Sequence, residues 1–265
     1  MSGSTKNSVL DQIVAAKRAE LSVRRGEAQL DVDGVLADAA PTLDFAAALR
    51  APPSPGVIAE FKRASPSAGD IAADADVATV VRAYEAAGAS AVSVLCDRHF
   101  KGSIDDLAAA RQACGLPLLC KDFIIERSQI LAARRAGADA ILLIVAALPV
   151  PTLKTLIDFA RRVGLEVLCE AHDAHEVDRA MAAGATVVGV NARCLATFEV
   201  DPTLPVRLRK LVPPSFTYVA ESGVADAADL ATLRQAQVDA ALVGSALMRA
   251  ADPGQALTEL LALPS

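Results

Sequence analysis

Eight short runs of aliphatic and β-branched residues recur along the chain: GVIAEFK (56–62), AVSVLC (91–96), LPLLCK (116–121), AILLIVA (140–146), LEVLCE (165–170), TVVGVN (186–191), TYVAES (217–222) and AALVGS (240–245). Each is nearly continuous in apolar character, as expected of strands buried on both faces. Between them lie Ala-rich segments with apolar residues at helical spacing, among them VATVVRAYEAAG, SQILAARRAG and HEVDRAMAAG. Three of these helices close on one phrase, AGAS (87–90), AGAD (136–139) and AGAT (183–186), in which Gly supplies a left-handed cap before the next strand. The eighth unit departs from the phrase with AQVD (236–239).

Strand and helix alternate eight times with short connections. The pattern predicts an α/β protein, a closed parallel (β/α)8 or TIM barrel, in preference to an open doubly wound sheet. Residues 1–265 read as one domain, with 56–265 forming the eight units and 1–55 an N-terminal helical extension. That extension carries two helical patterns, SVLDQIVAAKRAELSVRRG and LDFAAALR, and then the stiff APPSPG. Its apolar stripe is too short for independent folding, so it is expected to pack on the barrel as a lid or a base.

Composition narrows the class. With 26 basic and 32 acidic residues the net charge is −6, and no basic arm gathers the Lys and Arg, which argues against nucleic acid and anionic membranes as partners. Five cysteines, an odd number without a CxxC, fit free thiols in a reducing cytosol. The polar start of the chain does not resemble a signal peptide, and no apolar run reaches membrane-spanning length, so a cytoplasmic location is expected.

Chemistry is sought at the C-terminal ends of the strands, where such barrels place it. LPLLCKDFII (116–125) sets Lys121 in an otherwise apolar run, although a buried Lys requires a partner. The other strand ends supply Glu60 and Lys62, Glu170, Asn191, Glu221 with Ser222, and Gly244 with Ser245. A single charge at a strand end is often only a solvated terminus. Two lysines and three glutamates converging on one mouth would instead shift one another's pKa values, as acid and base roles require. The Ser222-Gly223 and Gly244-Ser245 pairs follow strands seven and eight, the recurrent phosphate site of this fold, and so favour a phosphorylated substrate over simple turns. The loop RASPSAGD (63–70), with Ser65, adds hydroxyls and charge from the first strand.

VIAEFKRASPSAG, LLCKDFII, GADAILLIVAAL, LEVLCEAHD, GVNARCLATFEVD and VAESGV together resemble the indole-3-glycerol phosphate synthase family of tryptophan biosynthesis. The resemblance implies an eight-fold barrel whose N-terminal helices cover the active-site side. It also implies a carboxy-lyase that closes the indole ring of 1-(2-carboxyphenylamino)-1-deoxyribulose 5-phosphate, releasing carbon dioxide and water, with no metal or cofactor. Lys121 would protonate the ketone oxygen and Glu170 would be its partner acid or base, while Lys62, grouped with them, would contact the substrate's anionic groups. Glu60 and Glu221 would hold a charged network and stay ionised. Ser65, Asn191 and Arg193 would bind substrate, Phe100 and Phe123 would wall its aromatic ring, and Ser222, Gly223, Gly244 and Ser245 would cradle the phosphate. A monomer is expected, with weak dimerisation or association with other tryptophan-pathway enzymes as alternatives.

Many relatives read EVHD, VNNRDL and LTD where this chain has EAHD, VNARCL and LCD. Ala171, Ala192 and Cys96 therefore predict a looser support behind the site, and Cys194 in place of an Asp predicts a less firmly held Arg193. Phosphoribosylanthranilate isomerase, on the same barrel, is a poor match: it would need a Cys at the first strand end, where Glu60-Phe61-Lys62 stands, and an Asp at the sixth, where Asn191 stands. A catalytically silent phosphate-binding barrel is a further alternative, opposed by Lys121 and Glu170. A metal site on Glu170, His172 and His175 is disfavoured because DAHE (173–176) reads as a capping box that turns His175 outward.

Overall fold

A computed structural model describes residues 9–24, 31–65, 69–194 and 197–262. Eight parallel strands close into a barrel: β1 (Gly56–Phe61), β2 (Ala91–Leu95), β3 (Leu118–Lys121), β4 (Ala140–Ile144), β5 (Glu166–Ala171), β6 (Val187–Asn191), β7 (Thr217–Glu221) and β8 (Ala240–Val243). Neighbours in sequence are neighbours in the sheet, and β8 closes on β1 through the pairs Gly56↔Ala240 to Ala59↔Val243. All eight runs read from the sequence are strands.

Because successive side chains alternate across a strand, each run feeds two cores. One set, including Ile58, Leu119, Leu142, Leu168, Val219 and Leu242, fills the barrel axis. The other set faces an outer layer in which Tyr84, Leu107, Ile130, Leu153, Val177, Leu230 and Leu257 are buried. Those residues lie on α4 (Val77–Ala86), α5 (Ile104–Ala113), α6 (Arg127–Arg135), α7 (Val150–Arg162), α8 (Ala174–Ala182), α10 (Ala227–Gln235) and α12 (Pro253–Leu261). Short helices α9 (Leu204–Leu208) and α11 (Ser245–Met248) follow β6 and β8. Asp76, Asp173, Asp226 and Asp252 cap helix starts by accepting from the first-turn N–H groups, as the orphan donors there require.

The glycines of the repeated phrase, Gly88, Gly137 and Gly184, have φ of +92°, +91° and +96°. In the deviant eighth unit Gln237 takes the same left-handed turn with φ +57°, so the geometry persists without the glycine.

The N-terminal extension is both lid and base. Helix α1 (Val9–Arg24) brings Leu10 and Ile13 over the C-terminal mouth. Helix α3 (Phe45–Arg50) plugs the opposite end with Phe45 and Leu49, both fully buried in the axial core. Six residues cannot sustain a helix alone. Burial of two such side chains, about 1.5–3 kcal/mol each, holds it in place. Among the elements that escaped the sequence reading are α2 (Val32–Asp38), which contains Gly34, and a small ladder pairing Ala64–Ser65 with Gly69–Asp70 in the loop after β1. The tip of that loop, 66–68, lies outside the described residues, as do 195–196 after Arg193.

Candidate active site

Strand alternation decides which terminal residues point inward. Along β1 Ile58 faces the axis, so Glu60 and Lys62, at i+2 and i+4, do too. The same step carries Leu119 to Lys121, Leu168 to Glu170, Val219 to Glu221 and Leu242 to Gly244. The result is a cavity at the C-terminal mouth, roofed by Val9, Leu10 and Ile13 and floored by Leu142, Ile144 and Leu242. Each of the fourteen residues singled out in the sequence lines it: Glu60, Lys62, Ser65, Phe100, Lys121, Phe123, Glu170, Asn191, Arg193, Glu221, Ser222, Gly223, Gly244 and Ser245.

Lys121 has its partner. Its Nζ lies 3.1 Å from Glu170 Oε2 and 3.3 Å from Glu221 Oε2, with both carboxylates buried. Lys62 Nζ pairs with Glu60 Oε1 at 2.6 Å on the facing strand. His172, two residues beyond Glu170, sets Nε2 3.4 Å from Glu170 Oε1 and Nδ1 3.1 Å from Glu176 Oε2.

Burial opposes the charge on Lys121, but Glu170, Glu221 and Glu60 outweigh it and hold the ammonium above lysine's ordinary pKa. Burial would likewise raise Glu170, yet Lys121 and His172 hold it well below the usual carboxylate range. For His172, burial is overcome by the facing carboxylates of Glu170 and Glu176, and its pKa rises to about 10. Glu221 is pushed the other way from Glu170. Burial, with Glu170 beside it, defeats the pull of Lys121 and pushes its pKa up to about 8. Two carboxylates sharing one lysine cannot both ionise freely, and the upward push falls on Glu221.

The glycines act by what they omit. A Cβ on Gly189 would fall 2.2 Å from Glu221 Oε1, and one on Gly244 would fall 2.3 Å from Glu60 Oε1 and 2.9 Å from Lys62 Nζ. Gly244 has an ordinary negative φ of −127°, so its requirement is space and not backbone conformation. After β7 the chain takes two left-handed residues in succession, Ser222 (φ +63°) and Gly223 (φ +85°).

Phe100 and Phe123 stack with centroids 6.4 Å apart and planes inclined by 29°. Arg193 is tethered despite Cys194: its guanidinium donates to the Phe198 carbonyl at 3.0 Å, and its N–H donates to Asn191 Oδ1 at 3.0 Å. Ala171 and Ala192 are buried, and Cys96 Sγ lies 3.7 Å from Cys120 Sγ. The expected capping box is half formed. Asp173 accepts from Glu176 N–H, but the Glu176 carboxylate accepts from His172 N–H at 2.8 Å instead of returning to the cap. His175 is exposed, and among the described residues no three His, Cys, Asp or Glu side chains are grouped to hold a metal.

Sequence reading expected a cover from the N-terminal helices but named none of its residues, and it missed Phe198, Asp122 and the part His172 plays beside Glu170. The i+2 spacing of Glu170 and His172 was the available signal for the last.

The family model described as indole-3-glycerol phosphate synthase matches residues 10–260. Over 255 residues the chain is 46% identical to the indole-3-glycerol phosphate synthase of Mycobacterium avium, covering 96% of this chain and 93% of that protein. It is 48% identical to indole-3-glycerol phosphate synthase 2 of Streptomyces coelicolor, covering 96% and 98%. Solved structures share the fold at low identity. A mutant tryptophan synthase α-subunit from Pyrococcus furiosus aligns over 78% of this chain and 98% of its own, with TM-score 0.60 and 15% identity. Thiamine phosphate pyrophosphorylase from the same organism aligns over 77% and 93%, with TM-score 0.58 and 19% identity. With the charged mouth of the barrel and a match running nearly from end to end, the chain belongs to the indole-3-glycerol phosphate synthase family.

Proposed function

We propose that the mouth of the barrel closes the indole ring of 1-(2-carboxyphenylamino)-1-deoxyribulose 5-phosphate through the Lys121–Glu170 pair. The observation that carries this is Lys121 Nζ at 3.1 Å from Glu170 and 3.3 Å from Glu221 in an apolar-walled cavity. As the aryl carbon bearing the carboxylate attacks the ketone carbon, negative charge grows on the ketone oxygen. Lys121, held fully protonated, gives that oxygen its proton. Loss of carbon dioxide leaves its electron pair in the ring and restores aromaticity. In the dehydration that follows, the methylene carbon beside the nitrogen loses a proton, its C–H pair becomes the new ring double bond, and the hydroxyl departs as water. Glu170, held ionised, is the base suited to accept that proton, and Lys121, once it has taken a proton back from solvent, is the acid suited to assist departure of the hydroxyl.

Lys62, beside Glu60, supplies a cation for the substrate carboxylate, and Asn191, Arg193 and Ser65 surround the sugar chain. Phe100 and Phe123 receive the aromatic ring. The left-handed turn at Ser222-Gly223 and the backbone at Gly244-Ser245 receive the phosphate, whose distant binding energy holds the reacting ring in place.

The test is turnover of the synthetic substrate, followed by indole fluorescence, in the wild type and Lys121→Ala, beside a thermal melt. The expected result is a folded variant slowed about 10²–10⁴-fold, the worth of a positioned general acid. Near-normal turnover in that variant would remove Lys121 from the chemistry.

A further inference from the structure

Lys17 interrupts an apolar stripe. On α1 the buried face runs Leu10, Ile13, Val14 and Leu21, and Lys17 occupies the position between them where a leucine would be expected. Only 6% of it is exposed. Its Nζ reaches two carboxylates from separate strand ends, Asp97 Oδ2 after β2 at 2.6 Å and Asp122 Oδ1 after β3 at 2.9 Å. A lysine kept only to fasten the helix would be a poor choice, since an apolar residue of similar volume usually serves as well.

What the two aspartates hold is more specific. The Asp97 backbone carbonyl accepts from Phe100 N–H and Gly102 N–H, and its Oδ1 accepts from His99 N–H at 2.8 Å, closing the turn that presents Phe100. Asp122 Oδ1 accepts from Phe123 N–H at 2.7 Å, closing the turn that presents Phe123. The two rings are the stacked pair at 6.4 Å. Without a cation between them, the two carboxylates would repel, and that repulsion acts directly on the spacing of the two turns.

We infer that Lys17, by its ion pairs to Asp97 and Asp122, fixes the separation of Phe100 and Phe123 and thereby positions the substrate's aromatic ring for attack on the ketone. This makes Lys17 a positioning residue, and it rests on the reading of the two rings as the aromatic wall. The N-terminal helix is then part of the ring subsite as well as its roof, because the residue that docks it is the residue that gauges the wall.

Lys17→Met keeps the length and removes the charge. Four quantities are measured on it, on Lys17→Arg and on Phe123→Ala: the thermal midpoint, kcat/KM, affinity for the product indole-3-glycerol phosphate, and affinity for glycerol 3-phosphate, which lacks the ring. Lys17→Met should lose tenfold or more in kcat/KM and in product affinity, as a ring misplaced by a fraction of an ångström would require, while glycerol 3-phosphate binds as before. Lys17→Arg should recover part of the loss. Unchanged kcat/KM in folded Lys17→Met, with a lower melting point alone, would reduce Lys17 to a fastener and overturn the inference. If Lys17→Met does not fold, Asp122→Asn, which frees the Phe123 turn but leaves the bond to Asp97, carries the same expectation and the same refutation. Should Phe123→Ala leave kcat/KM unchanged, the wall itself is wrong and the inference falls with it. Loss in Phe123→Ala without loss in Lys17→Met would sink only the role of Lys17.

Discussion

At the N-terminal ends of the strands, Asp139 sits buried and accepts from Leu43 N–H at 2.8 Å, Leu118 N–H at 2.8 Å and Arg111 Nη1 at 3.0 Å. Nearby, Glu166 accepts from Ala46 N–H at 2.9 Å and Arg134 donates to the Val163 and Ala40 carbonyls. At the C-terminal ends, Lys121, Glu170 and Glu221 are as deeply buried but face chiefly one another, and Glu221 Oε1 has no hydrogen-bond partner among the described residues. Charges at the base are matched to backbone groups that cannot move away. Charges at the mouth are matched to side chains that a substrate can displace. Burial alone therefore does not mark a working group; what marks it is a partner set that leaves the proton negotiable.

Opposite mutations should separate the two ends. Glu170→Gln is expected to cost about 10²–10⁴ in kcat while the protein melts near the wild-type temperature. Asp139→Ala should do the reverse. It strands Arg111 and two buried N–H groups and lowers stability by about 3 kcal/mol, with kcat of the folded fraction intact. Denaturant melts paired with single-substrate kinetics give both numbers, and a base mutant that loses kcat would erase the distinction.

Bulk placed at the mouth should have the next largest effect. Gly244→Val drives a methyl group toward Glu60 Oε1 and Lys62 Nζ, and is expected to lower kcat/KM about 100-fold, with most of the change in KM. The same substitution leaves φ in an ordinary region, so any fall in melting point reports overpacking against Glu60 and not backbone strain.

The smallest effect sharpens the comparison by pH. In the fold burial pushes the pKa of Glu221 up to about 8 from the ordinary 4.5. The folded state therefore holds more protons than the unfolded chain between those values, and this contribution to stability falls as pH rises through that window. His172, raised from 6.5 to about 10, adds a further loss of the same sign at higher pH. Glu221→Gln, an uncharged mimic of the protonated acid, should reduce the decline in melting temperature between about pH 5 and about pH 8 and leave in place the part that His172 contributes above about pH 6.5. Parallel slopes in variant and wild type would mean Glu221 is ionised after all.

The barrel was legible because its signals are local. Each strand run is nearly continuous in apolar character, each repeated phrase carries a glycine that is left-handed in the fold, and the period of two assigns Lys121, Glu170 and Glu221 to one interior. Helix α2 was not legible because Gly34 breaks a seven-residue pattern already too short to register. At the site, residue types were readable but their states were not. The upward shift of Glu221 depends on a second carboxylate and a shared lysine brought together from three strands, and the need for Gly189 and Gly244 lies in neighbours that only closure of the barrel supplies. Lys17 was invisible for the same reason, since its partners stand 80 and 105 positions away by the numbering.

The plug formed by α3 sets an order of events during synthesis. Its segment is sewn to the far half of the chain: Leu43 to Asp139, Ala46 to Glu166, Thr42 to Gly164 and Arg50 to the Ser215 carbonyl, across separations of 96, 120, 122 and 165 residues. At roughly 5–20 residues per second, residue 215 follows residue 50 out of the ribosome by on the order of 10–30 s. For that interval Phe45 and Leu49 have no barrel to enter, and the nascent chain carries its own stopper ahead of the vessel it will close.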